Sequence, residues 1–296
     1  MADITAIKHR IKSINDTHQI TKAMELISVS KMRKMMNKQA YSALYFDSVR
    51  YTVKDILRHS SDVRNKYTTP RGGGRAAYVV IAGDKGLAGS FNNNVLNLAW
   101  QHMQKYPVHY VVTIGQMARA FFESKKQSVD LEFTHAVTNP TLHDARGIVR
   151  DILDLYDKNL MDEVYVVFTH MYSSSNYAPE IVKLLPIEEQ DIKAGVNTTY
   201  SGDIYYDPSP REVLDVLVQQ YLIGMIYTTL IHSASSEHAA RMVAMTSANK
   251  NAEKMLDALN LEYNRLRQGA ITSELLDLTS GKFFYESTVR RGHRKE

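Results

Sequence analysis

The chain has 296 residues, 44% of them hydrophobic, with a formal net charge of +4 and no cysteine. That length and apolar content provide for a real core in one large or two smaller domains, and disorder is not the default. The missing cysteines exclude disulfides, thiolate zinc sites and thiol redox chemistry, and fit a reducing compartment. Residues 282–296 carry five Lys/Arg against two Glu, so the rest of the chain is close to neutral. Residues 1–40 hold eight Lys/Arg against three acids, but a near-neutral body does not predict general attraction to nucleic acid. The opening Met-Ala-Asp-Ile lacks the pattern of a secretory signal or a transit peptide, which suggests a bacterial cytoplasmic or mature organellar setting.

All seven prolines lie between Pro70 and Pro210, and the first 69 residues contain neither proline nor glycine. An N-terminal arm free of helix breakers starts at a plausible cap, Asp3. It places Ile4, Ile7, Ile11 and Ile14 on one stripe, which is expected to resume at Ile20, Met24 and Ile27 after polar Thr17 and His18. Helix is predicted to about His59, roughly 85 Å at 1.5 Å per residue, and a helix of that length needs a partner.

Arg71-Gly72-Gly73-Gly74-Arg75 reads as a flexible lead-in to a middle domain. Short β-branched runs at residues 76–82, 108–114 and 164–169 read as buried strands. Helical patterns at 94–105, 116–125 and 142–160 alternate with them, as in a mostly parallel, Rossmann-like α/β sheet. Gly83-Asp84-Lys85-Gly86-Leu87-Ala88-Gly89-Ser90 follows the first strand, where α/β folds bind ligands. Its G-x-x-G-x-x-G spacing matches neither the dinucleotide fingerprint nor the phosphate loop, so a structural or partner-contact turn is the better reading. The eleven histidines contain no His-Glu-x-x-His pair, and His232 and His238 are six apart, so neither points to a metal. Ser173-Ser174-Ser175-Asn176 lacks the glycines of a nucleophile elbow and reads as a polar loop. Asp144, Asp151, Asp154 and Asp157, among Arg146, Arg150 and Lys158, read as a solvated helix face. No catalytic residue, cofactor or metal is assigned.

Ser209-Pro210-Arg211-Glu212 is a strong helix start: Ser as cap, Pro at the first helical position, Glu closing a capping box. The apolar window at residues 213–231 contains Asp215, Gln219, Gln220 and Gly224 and reads as a buried helix rather than a membrane span. Farther on, Met242, Met245, Asn249, Ala252, Leu256, Leu259, Tyr263, Leu266 and Ala270 recur at alternating spacings of three and four, a coiled-coil seam. Asn249 in that seam reads as a register-setting amide. Small residues from Ala234 to Ala248 make one stretch thin, and the dense polar block at 265–274 suits hydrogen bonding to another protein or a solvated face. Gly281 is the expected helix end. The division is therefore an N-terminal coiled-coil helix (1–69), a central α/β domain (70–208), a C-terminal coiled-coil helix (209–281) and a basic extension (282–296). The two arms are expected to pair antiparallel, a rod on a globular base.

Four blocks carry a family resemblance almost end to end. They are Ile7-Lys8-His9-Arg10-Ile11 with Gln19-Ile20-Thr21-Lys22-Ala23-Met24; Asp84 through Asn92; Ser236-Glu237-His238-Ala239-Ala240-Arg241-Met242-Val243-Ala244-Met245; and Arg267-Gln268-Gly269-Ala270-Ile271-Thr272. They resemble the gamma subunit, the central rotor shaft, of F-type ATP synthases. The resemblance implies a non-catalytic shaft whose coiled coil enters a hexamer of alternating alpha and beta subunits, with the α/β domain against the epsilon subunit and the membrane c-ring. Ion flow would turn it to drive ATP synthesis, and hydrolysis would turn it back. By the same resemblance Met24, Glu237 and Arg241 face the beta-subunit lever, and Arg267, Gln268 and Thr272 contact a beta-subunit loop near the tip. Ile204, Tyr206 and Asp207 form the foot on the c-ring, with Ile204 where relatives commonly carry an aromatic residue. The implied location is the cytoplasmic face of the bacterial plasma membrane, peripheral and held through the complex. Ala88 takes a place often held by cysteine, and no cysteine-bearing regulatory insertion is present. Past Gly281, where relatives end soon, the tail is expected to be disordered, or else to touch the hexamer wall through Phe283, Phe284 and Tyr285. Two other classes stand beside this reading: an α/β nucleotide-binding protein with a coiled-coil arm, and a basic nucleic-acid-binding coiled coil.

Overall fold

A computed structural model describes residues 2–59, 65–72, 74–134, 136–188, 192 and 205–292. In chain order the elements are α1 (Ala2–His59), β1 (Arg75–Ile81), α2 (Phe91–Met103), β2 (Val108–Ile114), α3 (Gln116–Ser124), β3 (Leu131–Phe133), α4 (Leu142–Asp157), β4 (Glu163–Met171), β5 (Tyr177–Leu185) and α5 (Pro210–Gly292). They divide into two compact units, residues 1–25 with 245–296, and residues 26–244.

In the second unit, the strands form one sheet in the order β3-β2-β1-β4-β5. β1 pairs in parallel with β2 and β4, and β2 with β3, while β5 runs antiparallel to β4 along the edge. Strands β1, β2 and β4 fall where the β-branched runs predict them. β3 and β5 do not announce themselves: β3 has only three residues, and β5 includes Pro179, Glu180 and Lys183, an edge-strand composition that breaks the alternation. The Ser173–Asn176 segment is the β4–β5 turn, in which Tyr172 and Ser173 N–H groups donate to the Asn176 carbonyl. One sheet face packs Tyr78, Val80, Val111 and Val167 against Leu96, Met103, Ala118 and Phe122 of α2 and α3. The other packs Val79, Ile81, Val112 and Phe168 against α4 and against Phe46, Val53, Ile56, Leu214, Leu222 and Ile226 of α1 and α5. Each such large side chain contributes about 1.5–3 kcal/mol by leaving water.

Those contacts account for the apolar stretch after Pro210. Among the described residues one helix is long and apolar enough to cross a membrane, yet Leu214, Val218, Leu222, Ile226 and Leu230 are all buried in the protein core. The start of α5 follows its sequence signal. Ser209 Oγ accepts from the Glu212 N–H at 3.3 Å and donates to its carboxylate at 3.1 Å. Gly281 does not end α5, which continues to Gly292. A helix-interior glycine costs only about 1 kcal/mol relative to alanine, and no proline follows it.

In the first unit, α1 and α5 run antiparallel. Thr21 bonds Asn249, Glu25 bonds both Asn249 and Thr246, and His18 approaches Glu253, so residue number falls on α5 as it rises on α1. Along α5, Met245, Asn249 and Leu259 are buried, and Ala252, Leu256, Tyr263 and Ala270 half-buried, as the seam predicts; Leu266 is exposed. On α1 the covered stripe is Ile4, Ile7, Ile11, Ile14, His18, Thr21 and Glu25. This corrects the expected resumption at Ile20 and Ile27, which are 61% and 54% exposed. The three-and-four spacing continues unbroken through polar residues, so Ile20 and Ile27 fall off the stripe, while Met24 is half-buried next to Glu25.

Candidate functional site

The connections of the sheet diverge between β1 and β4, and this switch point at the carboxyl ends of the strands is where open α/β sheets bind ligands. The turn at residues 83–90 opens there. Asn92 Oδ1 accepts from the Gly83 N–H at 2.8 Å, and the Asp84 carboxylate accepts from the Gln116 N–H at 3.1 Å and the Thr138 hydroxyl at 2.9 Å. Leu87, at φ 63°, points out to solvent.

The crevice is filled by α5. Ser236 Oγ donates to the Thr169 carbonyl of β4 at 3.3 Å, and Glu237 lies against Gly83. A Cβ at position 83 would fall 2.9 Å from the Glu237 carboxyl carbon, so glycine is what admits the carboxylate. Arg241, one helical turn on, donates to Glu237 Oε1 at 2.6 Å and to the Gly86 carbonyl at 3.2 Å. Ala239 packs with Met32 and Met171, and Ala240 with Ala88 and Phe91. From Ala234 to Ala240 the thin, small-residue stretch of α5 is thus buried on the domain. Glu237 is 7% exposed, and burial pushes its carboxyl above the usual range while Arg241 pulls it back. A phosphate entering here would meet a buried carboxylate with Asp84 close by, the opposite of an anion cradle.

A second polar cluster lines a cavity of about 260 Å³ between α1, α5 and the β4–β5 edge. The His170 and His232 rings stack at 4.2 Å. His232 Nδ1 accepts from the Met171 N–H, and its Nε2 lies 3.1 Å from the Gln39 amide. Burial, with His170 alongside, lowers the His232 pKa to about 4, and burial also brings His238 down to about 4. These are core histidines. Among the described residues no group of three or more His, Asp or Glu is placed to hold a metal ion.

The remaining candidate residues lie apart. In the first unit, Met24 is half-buried on α1, while Arg267, Gln268 and Thr272 are exposed along α5, the Thr272 hydroxyl donating to the Gln268 carbonyl at 2.9 Å. In the second, the Tyr206 hydroxyl donates to Asp55 Oδ2 at 2.6 Å, which ties the segment before α5 to α1, and Asp207 is exposed. Ile204 lies outside the described residues. Sequence reasoning missed the partners of Asn249. Their signal is the continuation of the Ile4 to Ile14 spacing through polar His18, Thr21 and Glu25, residues that need polar partners across the seam.

Comparison with known proteins finds relatives along almost the whole chain. A family model described as ATP synthase matches residues 3–282. An ATP synthase gamma chain from Alkaliphilus metalliredigens is 42% identical over 277 residues, covering 93% of this chain and 96% of its own length. One from Ruminiclostridium cellulolyticum is 43% identical over 283 residues, with the same coverage. The rotor of the Euglena gracilis mitochondrial ATP synthase shares the fold with a TM-score of 0.62 at 16% identity, over 91% of this chain and 99% of that one. From its first helix through residue 282, the chain belongs to the ATP synthase gamma chain family.

Proposed function

We propose that the chain is the central-stalk rotor subunit of a rotary ATP synthase, non-catalytic itself, which couples ion-driven rotation to ATP synthesis or hydrolysis on other subunits. The observation that carries this reading is the match to gamma chains along more than nine-tenths of the sequence at over 40% identity. The site supports it physically. The crevice where an α/β enzyme would bind its ligand holds Glu237 and Arg241 of α5 instead, a joint between domain and long helix rather than a reaction centre. That also argues against the alternative of a nucleotide-binding protein with a helical arm.

In the finer form of the proposal, α1 and α5 pair as an antiparallel coiled coil inside a ring of alpha and beta subunits. Met24, Glu237 and Arg241 face the beta-subunit lever, and Arg267, Gln268 and Thr272 bond a beta-subunit loop. Ile204, Tyr206 and Asp207 meet the c-ring and epsilon subunit, and the whole lies peripherally on the cytoplasmic side of the plasma membrane. An asymmetric shaft offers each beta subunit different contacts at each angle, and those differential contacts shift its nucleotide affinity. Mixing alpha and beta subunits with and without this chain tests the reading. Copurification with both and faster steady Mg-ATP turnover support it; turnover by the isolated chain contradicts it.

A further inference from the structure

The seam in the first unit changes chemistry partway along. From Ile4 to Ile14 on α1, and through Ala252, Leu256 and Leu259 on α5, the covered residues are apolar. At Thr21, Glu25, Thr246 and Asn249 they are polar and bonded across the helices. Asn249 Oδ1 accepts from the Thr21 hydroxyl at 2.5 Å, a closer partner than that hydroxyl's own-helix carbonyls at 3.0 Å. The Glu25 carboxylate accepts on both oxygens, from Asn249 Nδ2 at 2.6 Å and from the Thr246 hydroxyl at 2.7 Å. Asn249 is 7% exposed. His18 Nε2 lies 3.5 Å from the Glu253 carboxylate one turn farther on.

Apolar contacts hold two helices together through many individually weak, non-directional contacts and no directional bond. Short hydrogen bonds to a carboxylate are directional and add a restraint on sliding and twisting to that of packing. Arg267, Gln268 and Thr272 all lie on α5, so load carried by α1 within the first unit reaches them through its pairing with α5. We infer that Thr21, Glu25, Thr246 and Asn249 form a shear key, positioning residues that lock α1 to α5 so that the paired rod turns as one body. The inference rests on the rotor reading above.

The test uses the complex of alpha, beta and this chain, with the head fixed to a surface and a probe on the chain's α/β domain. Two variants are compared with the parent: Thr21→Val with Thr246→Val, which removes two bonds across the helices with little change of shape, and Glu25→Leu with Asn249→Leu, which replaces the other two polar members with apolar ones. With the head arrested, the angular variance of the probe is expected to rise about twofold in both as the network is lost. The load that stalls rotation should fall, while unloaded Mg-ATP turnover stays near the parent's. Ile11→Val, in the apolar stretch, is expected to leave the variance alone. Unchanged variance and stall load in the valine pair would overturn the inference, even if the leucine pair fails to assemble. A parent complex that never rotates would instead sink the rotor reading underneath it.

Discussion

The ring of Phe46 occupies the space that a side chain at position 224 would need: a Cβ built on Gly224 would lie 2.3 Å from Phe46 Cδ1. Gly224, which in sequence looks like a weak point in a helix, is where α5 admits an aromatic residue from α1. Gly224→Ala gains helix propensity of about 1 kcal/mol but overpacks a core contact, at about 1–3 kcal/mol. The expected net result is a lower melting temperature, by a few degrees, in thermal unfolding of the purified chain. Pairing it with Phe46→Leu is expected to recover part of the loss, since the two sites are in contact.

Arg241 and Glu237 give a second prediction. Arg241→Ala leaves a nearly buried carboxylate without its cation, a class of change that costs about 3–5 kcal/mol. Adding Glu237→Gln removes the stranded charge, so the double variant is expected to be more stable than Arg241→Ala alone. Urea unfolding of the four members of the cycle reads the coupling directly.

The buried histidines fix the sign of one pH dependence. His232 and His238 have folded pKa values of about 4 against an ordinary value of 6.5. The unfolded chain therefore binds more protons than the folded one between those values. Their contribution is fully present above about pH 6.5 and is lost as pH falls toward 4, by about 3 kcal/mol for each ring. The raised carboxyl of Glu237 acts with the opposite sign, losing stability as pH rises through its folded pKa. Urea midpoints at a series of pH values should fall between pH 6.5 and 4, and His232→Gln should flatten that slope.

Arg267, Gln268 and Thr272 are exposed on α5, so replacing all three with alanine should move stability little, surface changes being usually within about 0.5 kcal/mol each. If they bond a beta subunit, the same variant should lower Mg-ATP turnover of the assembled complex severalfold while its melting curve overlays the parent's. Loss of turnover together with loss of fold would point to a structural role.

Much of this was legible in sequence because it depends on periodicity. The strands β1, β2 and β4 are β-branched runs, the start of α5 is a capping box, and the α5 seam keeps one spacing from Met242 to Ala270. What failed depended on context. Ile20 and Ile27 are apolar yet lie off the stripe, whereas His18, Thr21 and Glu25 face α5 and find polar partners there. β5 was hidden by its edge-strand charges and proline. The joint of Glu237 with Gly83 and Arg241 with Gly86 brings together residues about 155 positions apart, and no local pattern encodes such a contact.

The most direct measurement of the central claim uses the absence of native cysteine, which makes Lys105→Cys, at an exposed position in the turn after α2, a unique attachment point. With a probe there and the alpha–beta head fixed to a surface, Mg-ATP is expected to produce sustained rotation in one direction. A probe that only fluctuates about one angle while the complex hydrolyses ATP at its full rate would contradict the account.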